Sequence, residues 1–131
     1  MKRNSVNKAY LVLYLCLVVA ASALILIRWA AHLAPETKLL PDFIMLHATN
    51  FSISMLLMLF IGFIALVCGG KMRSVLIAGL VIIAANFICE LFLTFLNTTD
   101  IIDAVAGAIG VAIALIFLHF LNKNGLVDKG G

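Results

Sequence analysis

Residues 90–110 read Glu90-Leu-Phe-Leu-Thr-Phe-Leu-Asn-Thr-Thr-Asp-Ile-Ile-Asp-Ala-Val-Ala-Gly-Ala-Ile-Gly110 and place three acids within or beside apolar segments. An ionisable group at membrane depth is costly, so it usually faces a partner or a wet cavity. At about 3.6 residues per turn, Asp100, Asp103, Gly107 and Gly110 lie on one face of a helix. On the preceding segment, Asn86 and Glu90 also share one face. These two polar stripes descend from one short turn, and we interpret them as walls of a site.

The composition is that of an integral membrane protein. Of the 131 residues 65% are hydrophobic and 11% are charged, and the mean hydropathy is +1.22. Soluble domains carry about a quarter charged residues. The net charge of +3 is too small to indicate a nucleic-acid partner. Cys16, Cys68 and Cys89 lie in apolar segments without metal-ligand spacing, so we predict small buried side chains there, and the leading interpretation includes neither cofactor nor metal.

Four apolar segments predict an all-α, polytopic membrane protein with a single domain over residues 1–131. The expected transmembrane spans are 9–28, 43–68, 74–97 and 100–121. A cleaved signal peptide is the alternative for the first span. Its uncharged run from Ala9 to Ile27 is longer than the roughly 7–15 residues of a signal peptide's apolar region, which favours a retained helix.

The basic residues predict the orientation. The leader, the turn after the second span and the tail hold most of them: Lys2, Arg3, Lys8, Lys71, Arg73, Lys123 and Lys129. The opposite side holds only Arg28 and Lys38. Because cytoplasmic loops are enriched in Lys and Arg, we expect a multi-pass protein with both termini in the cytoplasm.

This topology brings most polar residues of the spans towards the outer half of the bundle. The candidate ligand-binding residues are Glu90, Asp103, Asp100, His47, Asp42, Asn50 and Asn86. They predict an outward-facing acidic pocket. Structural alternatives exist for several of them.

Asp100 and Asp103 have the spacing of a helix N-cap with an acid at the third helical position. His47 can tie two helices together by bonding to an acid. Asn50, Asn86 and Ser54 are typical of contacts between helices. Gly107 and Gly110 predict a surface for close helix packing rather than a phosphate site.

The pattern of these residues resembles the VanZ-like family of small integral membrane proteins. The matching pieces are Asp42 and His47 at the start of the second helix, Glu90 in the third, Thr98 and Thr99 in the outer turn, and Asp103 with Gly110 in the fourth. The resemblance covers about residues 42–116. It implies a multi-pass protein of the bacterial inner membrane and an association with low-level resistance to glycopeptide antibiotics, through a molecular activity that the family does not specify.

Three functions follow as hypotheses. The first is a pocket that binds an envelope, lipid-linked or glycopeptide ligand, with membrane lipids as further partners. The second is an intramembrane metal-dependent hydrolase or transferase that uses Asp103, Glu90 and His47. The third is a small proton-coupled transporter, which ranks last because the first helix carries no acid. No nucleophile–base pair or nucleotide loop identifies an enzyme, and the sequence leaves the oligomeric state open.

Overall fold

Four long helices form the described part of the protein. The structure, a computed structural model, describes residues 4–37, 39–92 and 100–128. In these ranges the helices are α1 (Lys8–Leu33), α2 (Asp42–Val67), α3 (Met72–Phe92) and α4 (Ile101–Phe120). A short 3-10 turn, Pro35–Thr37, follows α1, and a π-helical turn, Leu121–Gly125, extends α4. Each of the four helices is long and apolar enough to cross a membrane, as the sequence predicted.

The end of α1 differs from the expected span, and the expected end of α3 lies outside the described residues. Helix α1 continues to Leu33, because Arg28 does not interrupt it; a single charge near a helix end does not break its backbone hydrogen bonds. Helix α3 is described to Phe92, and its expected end at residue 97 lies outside the described residues.

The outer surface of the bundle is apolar. Large side chains point away from the other helices, among them Val19, Phe60, Leu80 and Ile116, each more than half exposed. An aqueous solvent would penalise this surface, whereas lipid does not, and a helix satisfies its own backbone groups within the bilayer. The surface therefore agrees with a transmembrane bundle.

Helix α2 occupies the centre of the bundle and contacts α1, α3 and α4. The core between α2 and α4 contains fully buried Met58, Leu59 and Leu118. Two helices pack closely in a membrane where small residues let their backbones approach. At Gly110 an added Cβ would collide with the carbonyl oxygen of Phe51, so glycine is needed at this crossing.

The expected burial of the cysteines is wrong. Cys16 and Cys89 are exposed on the surface of the bundle, and Cys68 is half-buried; all three are free thiols. An apolar segment does not specify which of its faces meets a neighbouring helix, and in lipid the outward face is as apolar as the inward one.

A small sheet adds to the expected all-α fold. Strands β1 (Asn4–Val6) and β2 (Leu126–Asp128) pair antiparallel, with Ser5 opposite Val127. Beside them the Asn7 amide donates a hydrogen bond of 2.8 Å to the Gly125 carbonyl oxygen. Three-residue strands are too short to give a periodic pattern, and their pairing depends on segments far apart in the chain. The two strands lie at the same end of the bundle, as an even number of spans requires.

Candidate functional site

The two ends of the bundle differ in charge. At one end, here named the acidic end, α1 finishes and α2 and α4 begin, and it carries Asp42, Asp100 and Asp103. At the opposite, basic end lie the two strands together with Lys8, Lys71, Arg73 and Lys123. Acids at the start of a helix are stabilised by the helix dipole, so the first turns of α2 and α4 are suited to carboxylates.

A three-residue cluster joins α2 to α4 at the acidic end. His47 Nδ1 lies 2.7 Å from Asp103 Oδ1 and 4.0 Å from Asp100 Oδ2. An ionised carboxylate only accepts, so with Asp103 ionised the His47 Nδ1–H donates this bond. In the neutral ring Nε2 is then the nitrogen that keeps a lone pair. We name these three residues the His47 cluster.

In the His47 cluster the imidazole is buried and the two carboxylates are partly exposed. The side chain of His47 is 8% exposed, whereas those of Asp103 and Asp100 are 25% and 37% exposed. The Phe43 ring packs edge-on against the imidazole, with 4.8 Å between ring centroids. A ligand therefore reaches the carboxylates first, and the imidazole forms the floor of the site.

Asp100 has two functions in this arrangement. Its Oδ1 accepts a 3.0 Å hydrogen bond from the Ile102 amide and so caps α4, as its spacing predicted. Its Oδ2 faces His47. One ligand atom from each member of the cluster lies within 4.8 Å of the others, so the set can hold a small cation. Two carboxylates and one imidazole also give the cluster a net negative charge unless protons or a cation compensate it.

A second polar contact, between α2 and α3, lies further from the acidic end. Asn86 Nδ2 donates a 2.9 Å hydrogen bond to Ser54 Oγ and thereby joins α3 to α2. Both side chains pack over the backbone of Gly107, about one helical turn beyond Asp103, or about 6 Å along α4. The missing side chain at Gly107 makes room for this bond. Here Asn86 contacts another helix and not the His47 cluster.

Glu90 and Asp42 line separate cavities. Glu90 lies with Phe87 and Ala104 around a cavity of about 180 Å³ between α3 and α4. Asp42 lies on a larger groove between α1 and α2. Asn50 is half-buried on α2, one turn from His47. The seven candidate residues thus share one end of the bundle but do not line one pocket.

Sequence reasoning missed one polar residue at this end. Arg28, interpreted only as a basic residue of the outer side, reaches across to α2, where Nη1 donates to the Leu46 carbonyl oxygen at 2.8 Å and to Thr49 Oγ1 at 2.7 Å. The available signal was the apolar run Trp29, Ala30 and Ala31 after Arg28, which allows the helix to continue past the charge. The residues of the predicted outer turn, Asn97 to Thr99, lie outside the described residues.

Comparison of the chain with protein-family models, curated proteins and solved structures finds no match.

Proposed function

We propose that this chain is a bacterial inner-membrane protein whose His47 cluster binds the head group of a lipid-linked or other envelope ligand. The observation that carries the proposal is the contact of His47 with Asp103, and its proximity to Asp100, at the open acidic end. Carboxylates with a buried imidazole accept hydrogen bonds and favour positive charge. The preferred head group is therefore an amine or a hydroxyl-rich group such as a sugar or amino sugar.

The charge distribution supports an orientation with both termini in the cytoplasm. The basic end carries the strands near both termini, and Lys and Arg accumulate on the cytoplasmic side of membrane proteins. In this orientation the His47 cluster faces the periplasm. Envelope components assembled outside the inner membrane would then have direct access to it.

The resemblance to VanZ-like proteins supports a narrower version of the proposal. Among the residues that carry the resemblance, the His47 cluster brings together His47 and Asp103. On this basis we propose that the ligand is connected with tolerance to glycopeptide antibiotics. This link depends on the resemblance, whereas the ligand chemistry depends on the geometry of the cluster.

Native mass spectrometry of protein released from nanodiscs made with bacterial membrane lipid tests the ligand site. We expect wild-type protein to retain a lipid-linked species that Asp103→Asn loses. Glu90→Gln is the matched control, since it neutralises an acid of α3 that lines a different cavity. Retention by Asp103→Asn would contradict the proposal, and loss only in Glu90→Gln would move the site to α3. The circular dichroism of each variant establishes that it is folded.

One observation favours the second hypothesis, a metal-dependent hydrolase or transferase. The cluster of His47, Asp100 and Asp103 has the ligand types that bind Mn²⁺ or Zn²⁺. In this version Asp100 takes the place that the sequence hypothesis gave to Glu90. Titration calorimetry with each metal should show one site per chain in wild-type protein and none in His47→Gln. Equal binding by both proteins would reject a metal centre at this position.

A further inference from the structure

We propose that the cavity between α3 and α4 binds a small quaternary ammonium ion. In this arrangement the Glu90 carboxylate is the counter-ion, and the Phe87 ring contacts the alkyl groups of the ion. The cavity has a volume of about 180 Å³, and its described lining consists of Phe87, Glu90, Leu91, Ile101 and Ala104. None of these residues belongs to the His47 cluster, so this proposal and the proposed function can fail independently.

Glu90 is an acid at membrane depth for which the described fold supplies no counter-ion. It follows Arg73, at the start of α3, by about 17 residues, which at about 1.5 Å per residue is about 25 Å along the helix. Because the hydrocarbon core is about 30 Å thick, Glu90 lies within it when Arg73 lies at the near boundary. Among the described residues the Glu90 carboxyl group has no hydrogen bond or ion pair. A carboxylate at this depth is costly unless a partner or a wet cavity compensates it, so the cavity beside it suits a cation from outside the protein.

The shape of the cavity favours a compact and lipophilic ion. Ala104 is buried and closes the cavity towards the core of the bundle, whereas Leu91 and Ile101 are more than half exposed and form its rim. The rim faces the surface of the bundle that lipid covers, so an ion that dissolves in the membrane has direct access. Pockets for drug-sized ligands have volumes of roughly 300–1,000 Å³, and this cavity is smaller than that range.

The side chains of the lining select the kind of cation. Among the described residues that line the cavity, Glu90 alone has polar side-chain atoms. A calcium ion needs about six to eight oxygen ligands, which one carboxylate does not provide. A primary ammonium group has three N–H donors, and the two carboxylate oxygens leave at least one of them without an acceptor, which is costly away from water. A quaternary ammonium group has no N–H donor, and aromatic rings such as that of Phe87 attract it.

Two isomeric cations test this selection, tetramethylammonium and n-butylammonium, which have the same atoms and charge but differ in N–H donors. Equilibrium dialysis of radiolabelled tetramethylammonium against the protein in maltoside micelles, which contain no choline group, measures the affinity and the number of sites. The affinity for n-butylammonium follows from its displacement of tetramethylammonium, so both values refer to one site. We expect one tetramethylammonium ion per chain, bound roughly tenfold more tightly than n-butylammonium, the ratio that corresponds to one buried donor without an acceptor.

Matched variants locate the bound ion. Glu90→Gln should abolish tetramethylammonium binding, while Glu36→Gln, which neutralises an exposed acid at the same end of the bundle, should preserve it. Phe87→Leu should weaken binding roughly two- to fivefold, and this variant carries the test if Glu90→Gln does not fold. Phe92→Leu, at the exposed end of α3, should leave the affinity unchanged.

Several results would overturn the proposal. These are the absence of tetramethylammonium binding by wild-type protein, equal or tighter binding of n-butylammonium, and unchanged binding in Glu90→Gln. Binding that is lost in Asp103→Asn but kept in Glu90→Gln would place the ion in the His47 cluster, and it would overturn this proposal without contradicting the proposed function.

Discussion

The contact between Gly107 and the Asn86–Ser54 hydrogen bond gives a stability prediction that depends on one pair of helices. A Cβ at Gly107 would lie 2.5 Å from Asn86 Nδ2 and 2.9 Å from Ser54 Oγ. In Gly107→Ala these groups must separate or α4 must move. Overpacking costs about 1–3 kcal/mol, and an interhelical hydrogen bond in a membrane contributes about 0.6 kcal/mol. The methyl group returns about 0.5–1 kcal/mol through helix propensity. We therefore expect a net loss of about 1–3 kcal/mol in the free energy of unfolding, by the sum of these terms.

A second substitution distinguishes this explanation from a general effect of alanine. Asn86→Ala removes both Asn86 atoms near the new Cβ, including Cγ at 3.1 Å. Gly107→Ala should then cost much less in the Asn86→Ala background, where only the contact with Ser54 Oγ at 2.9 Å remains, and a double-mutant cycle should give a coupling of about 1 kcal/mol. Gly110→Ala is the control. Its Cβ would meet the backbone carbonyl of Phe51, which the loss of Asn86 does not move, so Asn86→Ala should not relieve it.

The assay is reversible unfolding in mixed micelles of increasing dodecyl sulfate content, followed by far-ultraviolet circular dichroism and repeated in the refolding direction. Each free energy is compared with that of wild-type protein under identical conditions. Additivity of Gly107→Ala and Asn86→Ala within about 0.5 kcal/mol would refute the steric argument. An equal rescue of Gly110→Ala would also refute it.

Two further predictions concern other parts of the fold. Ser52 is fully buried, and within the described residues its Oγ has no hydrogen-bond partner, so Ser52→Ala should leave the stability in the same micelles unchanged or raise it. Ser54→Ala should instead lower the stability by about 0.6 kcal/mol, because it loses the hydrogen bond to Asn86. A larger loss in Ser52→Ala than in Ser54→Ala would contradict this prediction. Cysteines at Ser5 and Val127, in a chain without its native cysteines, should form a disulfide on mild oxidation because the two residues are directly opposite in the strand pair. The offset pair at Ser5 and Leu126 should react much more slowly, and equal rates would exclude the register.

The helices were predictable because a backbone within lipid has no water to bind and must form its own hydrogen bonds. An apolar segment of membrane length must bond its own amides and carbonyls, so length and hydropathy were sufficient to find four helices. Spacing within a helix was also informative. Asp103 was placed on a polar face of the fourth helix and His47 among the candidate residues of the second, and the two side chains meet in the structure at 2.7 Å.

The sequence could not predict whether all candidate residues meet in one pocket. Residue spacing shows which side chains share a helix face, but it does not show how far each helix is rotated about its axis relative to its neighbours. Glu90 was expected beside Asp103, yet α3 directs it to a cavity with Phe87 and Ala104. Asp42 shares a helix with His47 but lies in the groove towards α1. In a soluble protein the apolar face of each helix would fix this rotation, whereas these helices are apolar on nearly every side.

The pairing of β1 with β2 holds the first and the last described residues next to each other, so the path of the chain is nearly a ring. A short peptide linking the two strands would complete that ring, which could be reopened at the turn between α2 and α3, where Gly69 has a φ of 80°. The permuted chain would insert its helices in the order α3, α4, α1, α2 and would still begin and end on one face of the membrane. If the permuted chain reaches the same fold, the final set of helix contacts determines the fold. If it does not, the order in which the helices insert during synthesis also matters.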